Sequence, residues 1–182
     1  MHYSIIGILG YMLFYIYDIN EIKKINTKLK ATFYLGIILQ IIGTIGIITD
    51  NIEYLEFSVL GVAISLIGFI FLIYSLFFAL PFKETYIKTS EKRKVYNRGI
   101  YAMSRHPGVL FYIILYLGLG IIQPTTVIIG TYTIWCTLNI GYIIFQDLWT
   151  FPRTFVDYRE YRRNTPFLIP TIKSIKSSRD NI

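Results

Sequence analysis

Uncharged runs alternate with short charged stretches along the whole chain. The runs cover residues 3–17, 31–49, 57–82 and 107–146. An α-helix rises about 1.5 Å per residue, so about 20 apolar residues cross a hydrocarbon layer about 30 Å thick. The first run is short at about 22 Å and needs its flanks, or local thinning of the bilayer, to span. The second has close to the required length. The third is long enough to span with tilt, and Pro81 is placed to end or kink it. The fourth is twice the length of a span, and Gln123-Pro124-Thr125-Thr126 breaks it near its middle. It therefore reads as two helices, 107–122 and 125–145, joined by a tight turn. The pattern predicts an all-α integral membrane protein with five transmembrane helices.

Charge supports that count. Four Lys lie in the first connection, and seven Lys or Arg lie in each of the third connection and the tail after Asp147. The second connection holds Asp50, Glu53 and Glu56 with no base, and the turn at Gln123 holds no charge. All 18 basic residues thus fall in alternate connections. Because cytoplasmic loops favour Lys and Arg, the N-terminus is expected outside, with the tail and the connection before Pro107 in the cytoplasm. The same placement accounts for the net charge of +7, and no nucleic-acid partner is expected; the partner is the lipid bilayer. Apolar residues make up 54% of the chain, charged residues 16%, and mean hydropathy is +0.51, outside the range of an ordinary soluble domain. Residues 1–17 lack a basic leader and a small-residue cleavage site, so they read as a retained span, not a signal peptide. Residues 1–182 are expected to form one membrane-embedded domain.

Finer cues follow. Gly36, Gly43 and Gly46 share a face of the second span, and Gly61, Ser65 and Gly68 share one of the third. Such spacing either lets helices approach closely or reflects only the frequency of Gly in spans. Tyr3, Tyr17, Tyr54 and Tyr86 stand at span ends as interfacial anchors. Cys136, the single cysteine, reads as a small buried apolar residue. In residues 148–163, Leu148, Phe151, Phe155 and Tyr158 recur at helical spacing, with Pro152 early and Thr150 as cap. This predicts an amphipathic C-terminal helix on the cytoplasmic face. Residues 173–182 are expected to fray.

The chemistry concentrates where the fourth run begins and ends. Arg105-His106-Pro107 opens it, and Asp147 is the first Asp, Glu, Lys or Arg after Arg105. Pro suits the first turn of a helix, and Arg and His suit an interface, so the tripeptide can simply start a span. Equally, a helix N-terminus offers free N–H groups and a positive dipole end, to which Arg105 adds a planar donor fork; together they suit a carboxylate. The hairpin returns Asp147 to the side of Arg105. There it can form a salt bridge or hold an amino-bearing ligand. No metal is expected, because His2 and His106 are far apart in sequence and no other ligand cluster accompanies them.

The order Gly99-Ile100-Tyr101, Arg105-His106-Pro107, Asp147, Tyr158, Tyr161, Pro166 and Pro170 resembles the isoprenylcysteine carboxyl methyltransferase and phospholipid methyltransferase superfamily over residues 95–170. The resemblance implies a membrane methyltransferase that uses S-adenosylmethionine on a lipid or lipid-like acceptor at the cytoplasmic face. It places Tyr101 at a cofactor-contacting tyrosine, His106 and Pro107 at the cofactor-binding His-Pro, Gly108 and Val109 in the same segment, and Asp147 at a cofactor-contacting glutamate. Arg105 would hold the cofactor's carboxylate, and Tyr158 would pack on adenine or sulfonium. It assigns no catalytic residue. Departures stand at Val109 and Phe111, where the family has Tyr and Gly, at Gln146, and at Phe155-Val156, where it has Phe-Gly. Ile143 replaces the arginine that serves substrate in the prenylcysteine branch. Two other readings remain: an NADPH-dependent membrane reductase of the sterol-reductase type, and a non-catalytic membrane protein.

Overall fold

A computed structural model describes residues 2–80 and 93–180. The stop expected at Pro81 and the anchor expected at Tyr86 lie outside the described residues. Helix α1 covers His2–Lys23, α2 Ala31–Asp50, α3 Val59–Ile73, α4 Ile100–Met103, α5 Pro107–Ile122, α6 Thr126–Phe145, α7 Phe151–Thr154, α8 Tyr158–Asn164 and α9 Ile172–Asp180. Two of them run on into wider π turns, α3 over Tyr74–Phe78 and α6 over Gln146–Thr150. Four of these helical stretches are long and apolar enough to cross a membrane, and the fifth apolar helix is the 16-residue α5.

The predicted boundaries have local causes. Ser58 caps α3, its hydroxyl accepting from Gly61 N at 3.1 Å. Thr125 caps α6 in the same way, accepting from Ile128 N at 3.2 Å. Pro107 opens α5, where its missing N–H costs nothing. The α5–α6 corner falls at Gln123, as the dipeptide Gln-Pro requires.

Small residues decide how the helices meet. A methyl group on Gly68 would sit 2.4 Å from Leu115 N, and one on Gly118 would sit 2.4 Å from Ser65 N. The backbones of α3 and α5 therefore touch, which only glycine permits. On α2, a methyl on Gly36 would lie 2.6 Å from the Phe14 ring, and one on Gly46 would overlap the Tyr3 ring, both on α1. The glycine spacing thus marks two tight pairs, α1 with α2 and α3 with α5. Helix α6 packs against both α1 and α5. Lipid is as apolar as the side chains, so close packing and internal polar contacts hold such a bundle together. The buried centre is accordingly aromatic and hydrogen-bonded. Tyr11, Tyr112, Tyr116, Tyr132 and Trp135 cluster there. Tyr11 OH donates to Tyr112 OH at 2.7 Å, Thr44 and Tyr116 share a 2.6 Å bond, and Gln40 donates to Gly7 O at 2.7 Å.

The two ends of the bundle gather different connections. At one end Gln123, Asn51, Glu56 and the N-terminal residue Ser4 lie among the ends of α2, α3, α5 and α6: Glu56 N donates to Ile122 O at 2.8 Å, and Ser4 bonds Thr131 at 2.8 Å. At the other, Thr150 donates to Asp18 at 3.3 Å, and Arg105 meets Asp147.

The C-terminal region differs from expectation. Residues 148–163 are not one helix. The chain leaves helical geometry at Phe155, where φ is −117° and ψ 130°, and pairs with Arg93; Val156 N donates to Arg93 O at 3.0 Å. Thr150 does not cap a helix, because its hydroxyl is turned to Asp18. Nor do residues 172–180 fray. They form α9, whose Ser174 hydroxyl donates to Met103 O on α4 at 2.9 Å.

Candidate functional site

Four side chains converge on Asp147. It stands in the π turn that continues α6 and is 3% exposed. Arg105, in the extended step between α4 and α5, donates from Nε to Oδ1 at 2.8 Å and from Nη2 to Oδ2 at 3.3 Å. His106, the residue before Pro107, places Nε2 3.2 Å from Oδ1. Tyr158 donates its hydroxyl to Oδ1 at 2.5 Å. Arg162, one turn further along α8, brings Nε within 3.3 Å of Oδ2. A carboxylate has about four lone-pair sites, so the acid is fully supplied with donors.

The protonation states follow from surroundings. Burial lowers the His106 pKa from its usual 6.5, and Arg105 adds to the effect against the pull of Asp147. The ring is therefore neutral at pH 7. Because a carboxylate only accepts, Nε2 carries the proton and Nδ1 is the acceptor nitrogen. The ring lies between Phe151, 5.9 Å away and nearly parallel, and Phe167 at 5.0 Å. Burial, and next the bond to Asp147, hold the Tyr158 hydroxyl well above a tyrosine's usual 10. It stays a donor. Two guanidiniums then face one carboxylate beside a neutral imidazole, which leaves one positive charge in excess.

Further residues position these groups. Arg105 Nη1 donates to Arg162 O at 2.8 Å and Thr165 O at 2.6 Å, and its guanidinium lies over Phe167 at 5.5 Å. Ser104 donates to Leu168 O at 2.8 Å and accepts from His106 N at 3.3 Å. The strand-like step before α5 is thereby stitched to the segment after α8. Tyr101 joins the same region through Ser75 and Tyr161. Its hydroxyl donates to Ser75 O at 2.8 Å, and its own carbonyl accepts from Tyr161 OH at 2.6 Å. Gly108 faces the same π turn of α3: a methyl there would lie 3.2 Å from Ser75 Oγ. Pro107 and Val109 are buried in the first turn of α5.

The structure thus brings Arg105, His106, Asp147 and Tyr158 into direct contact, and sets Tyr101 and Gly108 against Ser75 instead. Arg162, Ser75, Ser104 and Tyr161 take part without having been singled out as polar groups at the site. Arg162 shares the face of α8 that carries Tyr158, one helical turn on, and that spacing could have found it. The others act through backbone carbonyls, which leave no mark in a sequence. On another face of α8, Asp157, Glu160, Tyr161 and Asn164 line an open cleft of about 180 Å³ with Val95 and Asn97. Among the described residues no cluster of His, Cys, Asp and Glu is suited to a metal ion.

Residues 57–151 match the family described as phospholipid methyltransferase, just over half of the chain. The matched stretch starts just ahead of α3 and ends at the first residue of α7, so it contains Tyr101, Arg105, His106 and Asp147 but not Tyr158 or Arg162. No curated protein and no solved structure matches the chain.

Proposed function

Because the chain belongs to the phospholipid methyltransferase family, we propose that it is an S-adenosylmethionine-dependent membrane methyltransferase with a lipid or lipid-like acceptor. The observation that supports this most is the cluster at the mouth of the α5–α6 hairpin, where Arg105, His106, Tyr158 and Arg162 surround Asp147. Its donor set suits an amino-acid zwitterion. Asp147 supplies an anion for the ammonium group, and the cluster's surplus positive charge suits the carboxylate. The site is proposed to open to the cytoplasm, in keeping with the basic connections on that side.

In this reading Asp147 and the first turn of α5, with His106, Pro107, Gly108 and Val109, form one wall. Arg105 belongs to the same wall and holds Asp147 in place through its paired bonds. Tyr158 and Tyr101 contribute aromatic surface, which favours a positive sulfur. Bound there, S-adenosylmethionine supplies an already activated methyl group, so orientation and exclusion of water account for most of the acceleration asked of the protein. Helices α3, α5 and α6 deliver an acceptor from the bilayer, whose reacting group is an amine, thiol or carboxylate.

The test is titration of the purified full chain with S-adenosylmethionine. Asp147→Ala and His106→Ala are each expected to weaken binding by about 1–3 kcal/mol, the scale of a lost hydrogen bond to a charged group. Equal affinity in parent and both variants would remove these residues from the site, and binding of NADPH in place of S-adenosylmethionine would replace the proposal. Labelling lipid extracts with methyl-tritiated S-adenosylmethionine then identifies the acceptor.

A further inference from the structure

We propose that Arg162 is the residue that binds the cofactor's carboxylate, and that its contact with Asp147 is the closed form of that site. This rests on the methyltransferase reading above. The two arginines of the cluster are not equivalent. Arg105 has a side chain only 8% exposed, and it commits Nε, Nη1 and Nη2 to four contacts: two with Asp147 and two with the carbonyls of Arg162 and Thr165. Moving it would release Asp147 and undo the link to the segment after α8. It is a fixed part of the frame.

Arg162 is held by a single side-chain contact among the described residues, Nε to Asp147 at 3.3 Å, and its side chain is 46% exposed. Its Nη1 and Nη2 are not engaged by that contact. A guanidinium edge with two parallel N–H groups matches a carboxylate in bidentate fashion. Arg162 also occupies the position on Asp147 Oδ2 that an incoming ammonium group needs. One movement of a half-exposed side chain therefore frees an acceptor on Asp147 and presents a donor fork beside it. The pairing fits: the added carboxylate takes Arg162 and the ammonium replaces Arg162 at the acid, so each new charge meets an opposite one while the net charge of the cluster is unchanged.

The test compares two ligands on the full chain in detergent or nanodiscs: S-adenosylmethionine and its decarboxylated analogue, which lacks only the group at issue. Parent protein is expected to prefer S-adenosylmethionine. Arg162→Gln should weaken S-adenosylmethionine by tenfold or more and leave the analogue within twofold, so the preference collapses; Arg162→Lys should restore part of it. If Arg162→Gln weakens both ligands equally, tightens S-adenosylmethionine, or keeps the preference, this assignment is overturned while the methyltransferase reading stands. If the parent binds neither ligand, both fall. Circular dichroism of Arg162→Gln, an exposed substitution, confirms that the fold is retained.

Discussion

The α5–α6 hairpin buries polar side chains at both of its ends, and Gln123 and Asp147 behave differently. At the corner, Gln123 is 2% exposed and donates its amide to Ile48 O at 3.1 Å and Asn51 O at 3.0 Å. It is neutral, and each acceptor also takes a backbone N–H, Ile48 O from Asn51 at 3.3 Å and Asn51 O from Tyr54 at 3.0 Å. At the mouth, Asp147 is equally buried but charged, and it gathers donors from four side chains carrying two full positive charges. A neutral amide between carbonyls fastens α2 to the corner and asks for nothing more. A carboxylate with more cations than it can neutralise retains an attraction for a further anion. Burial alone does not separate the two ends; the charge left over does.

The largest effect is expected from Asp147→Ala. It strands Arg105 and Arg162 beside a buried ring and should cost about 3–5 kcal/mol of stability, the scale of breaking one side of a buried ion pair. Thermal unfolding in a fixed detergent measures it, and a loss under about 1 kcal/mol, the level of an exposed pair, would show that the cluster is open to water. Gln123→Ala comes next, at about 1–3 kcal/mol for two buried hydrogen bonds lost. It should leave S-adenosylmethionine affinity unchanged; a parallel loss of affinity would erase the contrast between the two ends. The smallest effect is a pH dependence. Folding holds the His106 pKa below 6.5, so below that value the unfolded chain takes up a proton that the folded one resists. Stability should fall as pH drops below 6.5 and level off beneath the folded pKa. His106→Gln should flatten that slope, as urea titrations at several pH values would reveal.

Much of this architecture is written in the one-dimensional pattern. Span length, the alternation of basic connections and the Gln123-Pro124 break were enough to bring Arg105, His106 and Asp147 to one end, because a hairpin has only two ends. The glycine rows were ambiguous until Gly68 met Leu115 and Gly118 met Ser65, since contact depends on a partner helix that spacing on one helix cannot name. The C-terminal segment was read as one amphipathic helix because its apolar residues do recur at helical spacing. What divides it is Arg93, distant in sequence, whose carbonyl takes Val156 N. Ser174 was invisible for the same reason: it binds the carbonyl of Met103, and any residue supplies a carbonyl.

The wide turns at Tyr74–Phe78 and Gln146–Thr150 carry a consequence of their own. A π turn accommodates one residue more than an α turn, and each residue advances a helix by about 100°. Losing or gaining a single residue between Gln146 and Thr150 would therefore swing everything downstream about the helix axis, carrying Tyr158 and Arg162 away from the acid they face. The chain can exchange many side chains in its lipid-facing stretches, but at this turn it is the count of residues, more than their identity, that keeps the segment after it in phase with Asp147.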